Sequence, residues 1–98
     1  MHTAENDAIR GMQEVVVRVV DGGYSPSSVR VKVGRPVRLT FDRQEASGCS
    51  EIVSIPEFGI RVPLPPFQTT TVEFTPTAPR TYSFACGLGM LRGEIIAR

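Results

Sequence analysis

The sequence predicts an all-β fold, a Greek-key β-sandwich or barrel of about eight short strands, and three observations predict it. Short runs alternate apolar and polar residues with a period of two, as strands with one buried face require. Glycine and proline punctuate the chain between those runs, and no stretch reads as a convincing helix. At 98 residues the chain has room for one domain and one core, which suits a single sandwich better than any two-part design.

The elements follow in order. Residues 1–12 are polar and read as a flexible leader without a core role, so the domain proper is expected to span residues 13–98. "QEVVVRVV" is β-branched and nearly continuous, the pattern of a strand buried on both faces, and it ends at the turn-rich "DGGYSPSS". In "VRVKV", Val29, Val31 and Val33 share one face while Arg30 and Lys32 take the other. "VRLTF" repeats this with Val37, Leu39 and Phe41 inward, so the two runs flanking "GRP" read as neighbours in one sheet. Further short strands are expected in "SEIVSI", "FGIRV", "TTTVEF", "RTYSFA" and "GEIIA", separated by "VPLPP" and "TPTAP".

Composition removes several classes of function. The apolar fraction of 41%, the charged fraction of 21% and the net charge of +1 are those of an ordinary globular protein. Lysine and arginine are spread along the strands rather than gathered in a basic block, and neither tyrosine motif is interleaved with them, so nucleic acid is not an expected partner. No window approaches the roughly 20 apolar residues of a membrane span, and the opening residues lack the apolar core of a secretion signal. A cytoplasmic domain is therefore expected, with membrane association only through a tether in a longer parent protein. The single histidine, His2, lies in the leader, which leaves no base to activate a serine or cysteine nucleophile. Nor do Asp42, Glu51 and Glu57 form a carboxylate pair suited to acid–base work, so an enzyme is not expected.

Sulfur is the remaining chemistry. Parity along "TYSFAC" puts Tyr82, Phe84 and Cys86 on one inward face, with Cys86 at the strand end. The following "GLG" breaks the ladder and lets the backbone curl, bringing Met90 back toward Cys86. Cys49 stands at a loop-to-strand junction of its own. When both junctions fall at one end of the sandwich, two thiols and a thioether meet. Such soft donors suit Cu(I), whereas zinc ordinarily takes four ligands and rarely a thioether.

The segments "YSPSSVRVKVGRPVRLTF", "SGCSEIVSIPEFGI", "VEFTPTAPRTYSFACGLGM" and "RGEI" together resemble the cupredoxin-like Cu(I)-binding domains of bacterial copper chaperones and copper-exporting ATPases. The resemblance runs in order over nearly the whole chain after residue 13. In that subgroup a loop cysteine joins a C-x-M-x-M loop, and Cu(I) is passed to an exporter. It implies metal ligands Cys49, Cys86 and Met90, one bound Cu(I), and as partner a copper-exporting P-type ATPase or its soluble metal-binding domain. The first methionine of the loop is replaced by Leu88, giving C-x-L-x-M, which puts a second Cu(I) in doubt. Electron-shuttling members of the same architecture need two histidines beside their cysteine; with none inside residues 13–98, electron transfer is not implied.

Two rival readings of the cysteines stay open at this point. A cysteine pair in a small sandwich is more often packed or bridged than metal-bound, and a Cys49–Cys86 disulfide would stabilise the fold by about 4 kcal/mol on the chain-entropy model. The other is a thiol redox switch. Flanking glycines and a methionine four positions on are needed by neither, which favours the metal. Around the site, Arg92 is expected to cap the loop or stay solvated, Ser47 and Ser50 to make turn hydrogen bonds or donate to the Cys49 sulfur, and Tyr24 and Tyr82 to be core aromatics with a polar tip.

Overall fold

Among the described residues, alternating β-branched and aromatic side chains drive nine short strands into two facing sheets. The computed structural model describes residues 11–20, 23–46, 50–87, 89 and 91–98. The strands are β1 (Gln13–Val20), β2 (Gly23–Ser25), β3 (Ser28–Val31), β4 (Val37–Arg43), β5 (Ile52–Ile55), β6 (Ile60–Pro63), β7 (Thr69–Phe74), β8 (Arg80–Cys86) and β9 (Arg92–Ala97). A 3-10 turn at Pro56–Phe58 joins β5 to β6 and closes at Gly59, whose φ of 66° lies in the left-handed region. One sheet has the order β2-β1-β4-β7 and the other β3-β9-β8-β5-β6.

The all-β sandwich is as expected, with one strand more than the rough count because Gly23–Ser25 pairs with the end of β1 inside a stretch that reads as a turn. Two local expectations are corrected. β1 is not buried on both faces: Val17 and Val19 point into the core while Val16 is 56% exposed, because its sheet packs against a partner on one side only. And the runs flanking "GRP" are not neighbours. β3 pairs in parallel with β9 and β4 in parallel with β1, so the turn carries the chain from one sheet to the other. Both runs keep their valines inward, since the two sheets share one core. The expected leader lies, for residues 1–10, outside the described residues.

The core is built where the inward faces meet. Phe41, Phe84 and Tyr24 form a three-ring cluster, with centroid separations of 5.5 Å for Phe41–Phe84, 4.8 Å for Tyr24–Phe84 and 6.1 Å for Tyr24–Phe41, all inside the range in which tilted rings attract. Phe84 lies across from Gly93 on β9. A Cβ at that glycine would stand 2.1 Å from the Phe84 ring, so the ring occupies the room that the missing side chain leaves. A second cluster stacks Phe58 on Phe74 at 4.5 Å and on Tyr82 at 4.7 Å, near the other end of the sandwich.

At that second end Gln13 acts as a clamp. Its amide donates to the Lys32 and Arg35 carbonyls at 2.9 and 3.2 Å and accepts the Lys32 N–H at 2.6 Å. These bonds fasten the start of β1 to the connection between β3 and β4. The opposite end, where β4, β6 and β8 finish and β5, β7 and β9 begin, carries the sulfur.

Candidate metal centre

Cys86 closes β8 with its side chain on the inner face, as the parity of Tyr82, Phe84 and Cys86 requires, and it is 3% exposed. The chain then turns at Gly87 and bends at Gly89. Gly89 N–H donates to the Cys86 carbonyl at 2.9 Å, and Gly89 takes φ of 74°, a left-handed backbone that a glycine adopts without steric cost. Two more bonds clasp the turn: Cys86 N–H donates to the Leu91 carbonyl at 3.0 Å, and Leu91 N–H donates to Cys86 Sγ at 3.3 Å. The sulfur thus already accepts a backbone donor. Arg92 Nε donates to the Gly89 carbonyl at 3.3 Å, the loop-capping role expected of it.

The segment that follows Cys49 is fastened to the same place. β5 pairs with β8 through Val53 opposite Cys86, and Gly87 N–H donates to the Ile52 carbonyl at 3.1 Å. Ser50 is 1% exposed and donates to Glu45 Oε2 at 2.8 Å; it supplies a hydrogen bond to a carboxylate. The other oxygen of Glu45 accepts Arg43 Nε at 3.1 Å. Arg43, only 2% exposed, also donates to the Leu64 carbonyl, while Leu64 N–H donates to the Glu51 carbonyl at 2.7 Å. Arg43, Glu45 and Ser50 therefore link the end of β4 to the residues just before β5 through an ion pair whose arginine is buried and whose carboxylate is half-buried. Cys49 itself, Ser47, Leu88 and Met90 lie outside the described residues.

Neither Arg43 nor Glu45 was expected at the site, although the alternation that puts Val37, Leu39 and Phe41 inward continues to Arg43, and that parity was the available signal. Among the described residues no three His, Cys, Asp and Glu side chains gather into a group that could hold a metal. The donor described at this end, the Cys86 sulfur, is a soft one.

Tyr24 adds a feature that sequence did not disclose. The residue is 7% exposed and its hydroxyl finds no hydrogen-bond partner among the described residues. Burial pushes its phenol well above the ordinary tyrosine value, and the charge of a Cys86 thiolate pushes it further. The hydroxyl is therefore a protonated donor under all ordinary conditions.

Comparison with known proteins decides the family. The model of the cupredoxin-like domain matches residues 1–97. The chain belongs to the cupredoxin-like family. Among solved structures it is similar to the metal-binding domain of the Cu(I)-exporting P-type ATPase CopA of Streptococcus pneumoniae, determined with Cu(I): 27% identity, 90% of this chain and 87% of that one covered, TM-score 0.86. It is also similar to a copper-binding protein whose solution structure is of the apo form, at 39% identity, with 90% and 89% covered and a TM-score of 0.84. Auracyanin from Roseiflexus castenholzii, at 17% identity and a TM-score of 0.65 over 88% of this chain, shares the fold. No curated protein sequence matches the chain. Among the described residues of this cupredoxin-like domain, no helix is long and apolar enough to cross a membrane.

Proposed function

We propose that this cupredoxin-like domain binds one cuprous ion through Cys49, Cys86 and Met90 and hands it to a copper exporter, as a chaperone or buffer rather than an enzyme. The observation that carries the reading is the setting of Cys86: a buried sulfur at the end of the sandwich, held by the Leu91 N–H, beside the strand that begins just after Cys49. Similarity to a Cu(I)-bound ATPase domain and to a copper-binding protein supports copper as the metal. The absence of histidine from residues 13–98 supports the cuprous state, because sulfur donors alone favour Cu(I) over Cu(II).

Transfer then follows from ligand geometry. Two or three sulfurs leave the coordination of Cu(I) open to one more thiol, so an acceptor can bond the ion before the old ligands leave. Cys86, on the inner face, is the last donor to let go, and exchange starts at Cys49 and Met90. The acceptor is the soluble metal-binding domain of a copper-exporting P-type ATPase, and a cytoplasmic location fits that partner.

The test is a Cu(I) competition titration against a chromogenic chelator under reducing conditions. Cys49→Ser and Cys86→Ser are each expected to weaken binding by several orders of magnitude, and Met90→Leu by about tenfold. Equal Cu(I) uptake by the unchanged protein and both serine variants would sink the assignment.

A further inference from the structure

Lysine and arginine are scattered along the sequence, and the fold gathers them. On the β3-β9-β8-β5-β6 sheet, the alternation that buries Val29, Val31, Ile95 and Ala97 turns Arg30, Lys32, Arg92 and Arg98 out to solvent. Arg61 joins them from β6, opposite Ser54 on β5. β3 and β9 run in parallel with Arg30 beside Ile96, and Arg98 N–H donates to the Val31 carbonyl at 3.2 Å, so four of these cations stand along two neighbouring strands and their ends. Glu94 is the only acid within the five strands. Among the described residues none of the five cations makes an ion pair. The outer face of the other sheet is arranged differently. There Arg38 stands between Glu14 and Glu73 at 3.8 and 3.2 Å, and Arg18 lies opposite Asp42, so cations and carboxylates neutralise one another. Like charges gathered without partners repel, and the packing of a sandwich asks only that such positions be polar.

We propose that the outer face of the β3-β9-β8-β5-β6 sheet adsorbs to an anionic lipid surface, with the strands lying along the membrane and no side chain inserted. Five strands make a surface about 20 Å across, which meets several headgroups at once. Attraction of clustered lysine and arginine to an anionic leaflet needs no fitted partner and grows with each cation. A protein partner is held instead by aromatic or apolar anchors near the centre of its interface, and the outward residues there are Thr81, Ser83, Ala85 and the half-buried Ile96. Nucleic acid is held by stacking rings or by an element that enters a groove, whereas the rings of β8, Tyr82 and Phe84, point into the core. A concavity of about 330 Å³ on this face, lined in part by Ser28, Ser83, Arg92 and Glu94, sets hydroxyls and a guanidinium around room for a phosphate group. Adsorbed in this way, the protein turns its sulfur end along the membrane and keeps it clear of the lipid. The charges are present with or without a metal, so the inference goes beyond the Cu(I) reading and does not rest on it.

The test is co-sedimentation of the metal-free protein with vesicles of phosphatidylcholine containing about one-third phosphatidylglycerol. Adsorption is expected at about 50 mM salt, to be absent from phosphatidylcholine alone, and to weaken about tenfold or more at about 300 mM. Arg30→Ser combined with Lys32→Ser is expected to lower partitioning about tenfold. Arg18→Glu changes the net charge by the same amount on the opposite face and is expected to leave partitioning within about twofold. All three side chains are exposed. No adsorption to the anionic vesicles, or equal adsorption to phosphatidylcholine alone, overturns the proposal. So does an equal loss in the two variants, which makes net charge rather than this face responsible. Duplex DNA or poly-glutamate that strips the protein from the vesicles at equal charge concentration overturns the lipid assignment in favour of a nucleic acid or an acidic protein. Every arm uses the metal-free protein, so each result stands whether or not Cu(I) binds.

Discussion

Two tyrosines pose the same problem near opposite ends of the sandwich, and the fold answers it differently. Tyr82 packs on Phe58 and donates its hydroxyl to the Ala78 carbonyl at 3.2 Å. Tyr24 packs on Phe84 and donates to no described residue. The same contrast extends to the surroundings. Around Tyr82 the Gln13 clamp ties three backbone groups between strands, and those bonds serve the fold alone. Around Tyr24 the end of β8 turns on Gly89, and a buried arginine, a carboxylate and a serine hold the two sides of the segment that contains Cys49. One end is finished as architecture. The other holds, among the described residues, a buried arginine, a buried sulfur and a phenol hydroxyl without a partner, a burial of polar groups that architecture alone does not require.

Variants that set the two ends against each other test this contrast. The largest effect is expected at the sulfur end from Glu45→Ala, which leaves the Arg43 guanidinium buried without its carboxylate and removes the acceptor of Ser50. Loss of about 3 kcal/mol, read as a lowered urea midpoint, is expected. A change below 0.5 kcal/mol would mean that the pair does not hold this end together. Next comes Tyr82→Phe, expected to destabilise by about 1 kcal/mol because the Ala78 carbonyl loses its donor. Set beside Tyr24→Phe, expected to be neutral or stabilising because it removes an unsatisfied hydroxyl, it makes the contrast a difference of sign. Equal losses in the two variants would erase it.

The smallest effect concerns alkaline pH. The phenol of Tyr24 is raised in the folded protein above its ordinary value of 10.0, so folding favours the protonated form. Stability from this source is complete below pH 10 and declines as pH climbs from there toward the folded value, because the unfolded chain loses the proton first. At about pH 10.5 the decline amounts to somewhat under 1 kcal/mol. Chemical denaturation at pH 8 and about pH 10.5 measures it, and Tyr24→Phe is expected to remove that part of the loss. An identical loss in the variant would place the alkaline sensitivity elsewhere.

Much of this was legible in the chain itself. Period-two alternation gave the inward faces of Val29 and Val31, of Val37, Leu39 and Phe41, and of Tyr82, Phe84 and Cys86, since strand geometry alone dictates it. Which sheet a strand joins was not legible, because β3 and β4 carry the same alternation although they lie in different layers. β1 misled for a related reason: an unbroken valine run is compatible with a strand buried on both faces, yet Val16 faces outward. At the site, parity located Cys86, and glycine at position 89 announced the turn. Arg43 was passed over because a charged residue in an inward position is discounted until its carboxylate and carbonyl partners, distant in sequence or set on a loop, are seen around it. The orphan hydroxyl of Tyr24 could not be read at all, because it depends on what surrounds one atom.

The placement of β9 between β3 and β8 bears on the order of events during synthesis. Until residues 92–97 have cleared the ribosome, β3 has no partner in its sheet and the edge of β8 that pairs with β9 is uncovered. A nascent chain stopped before that strand leaves β3 and one edge of β8 unpaired, so the sheet that carries Cys86 closes only when β9 is in place.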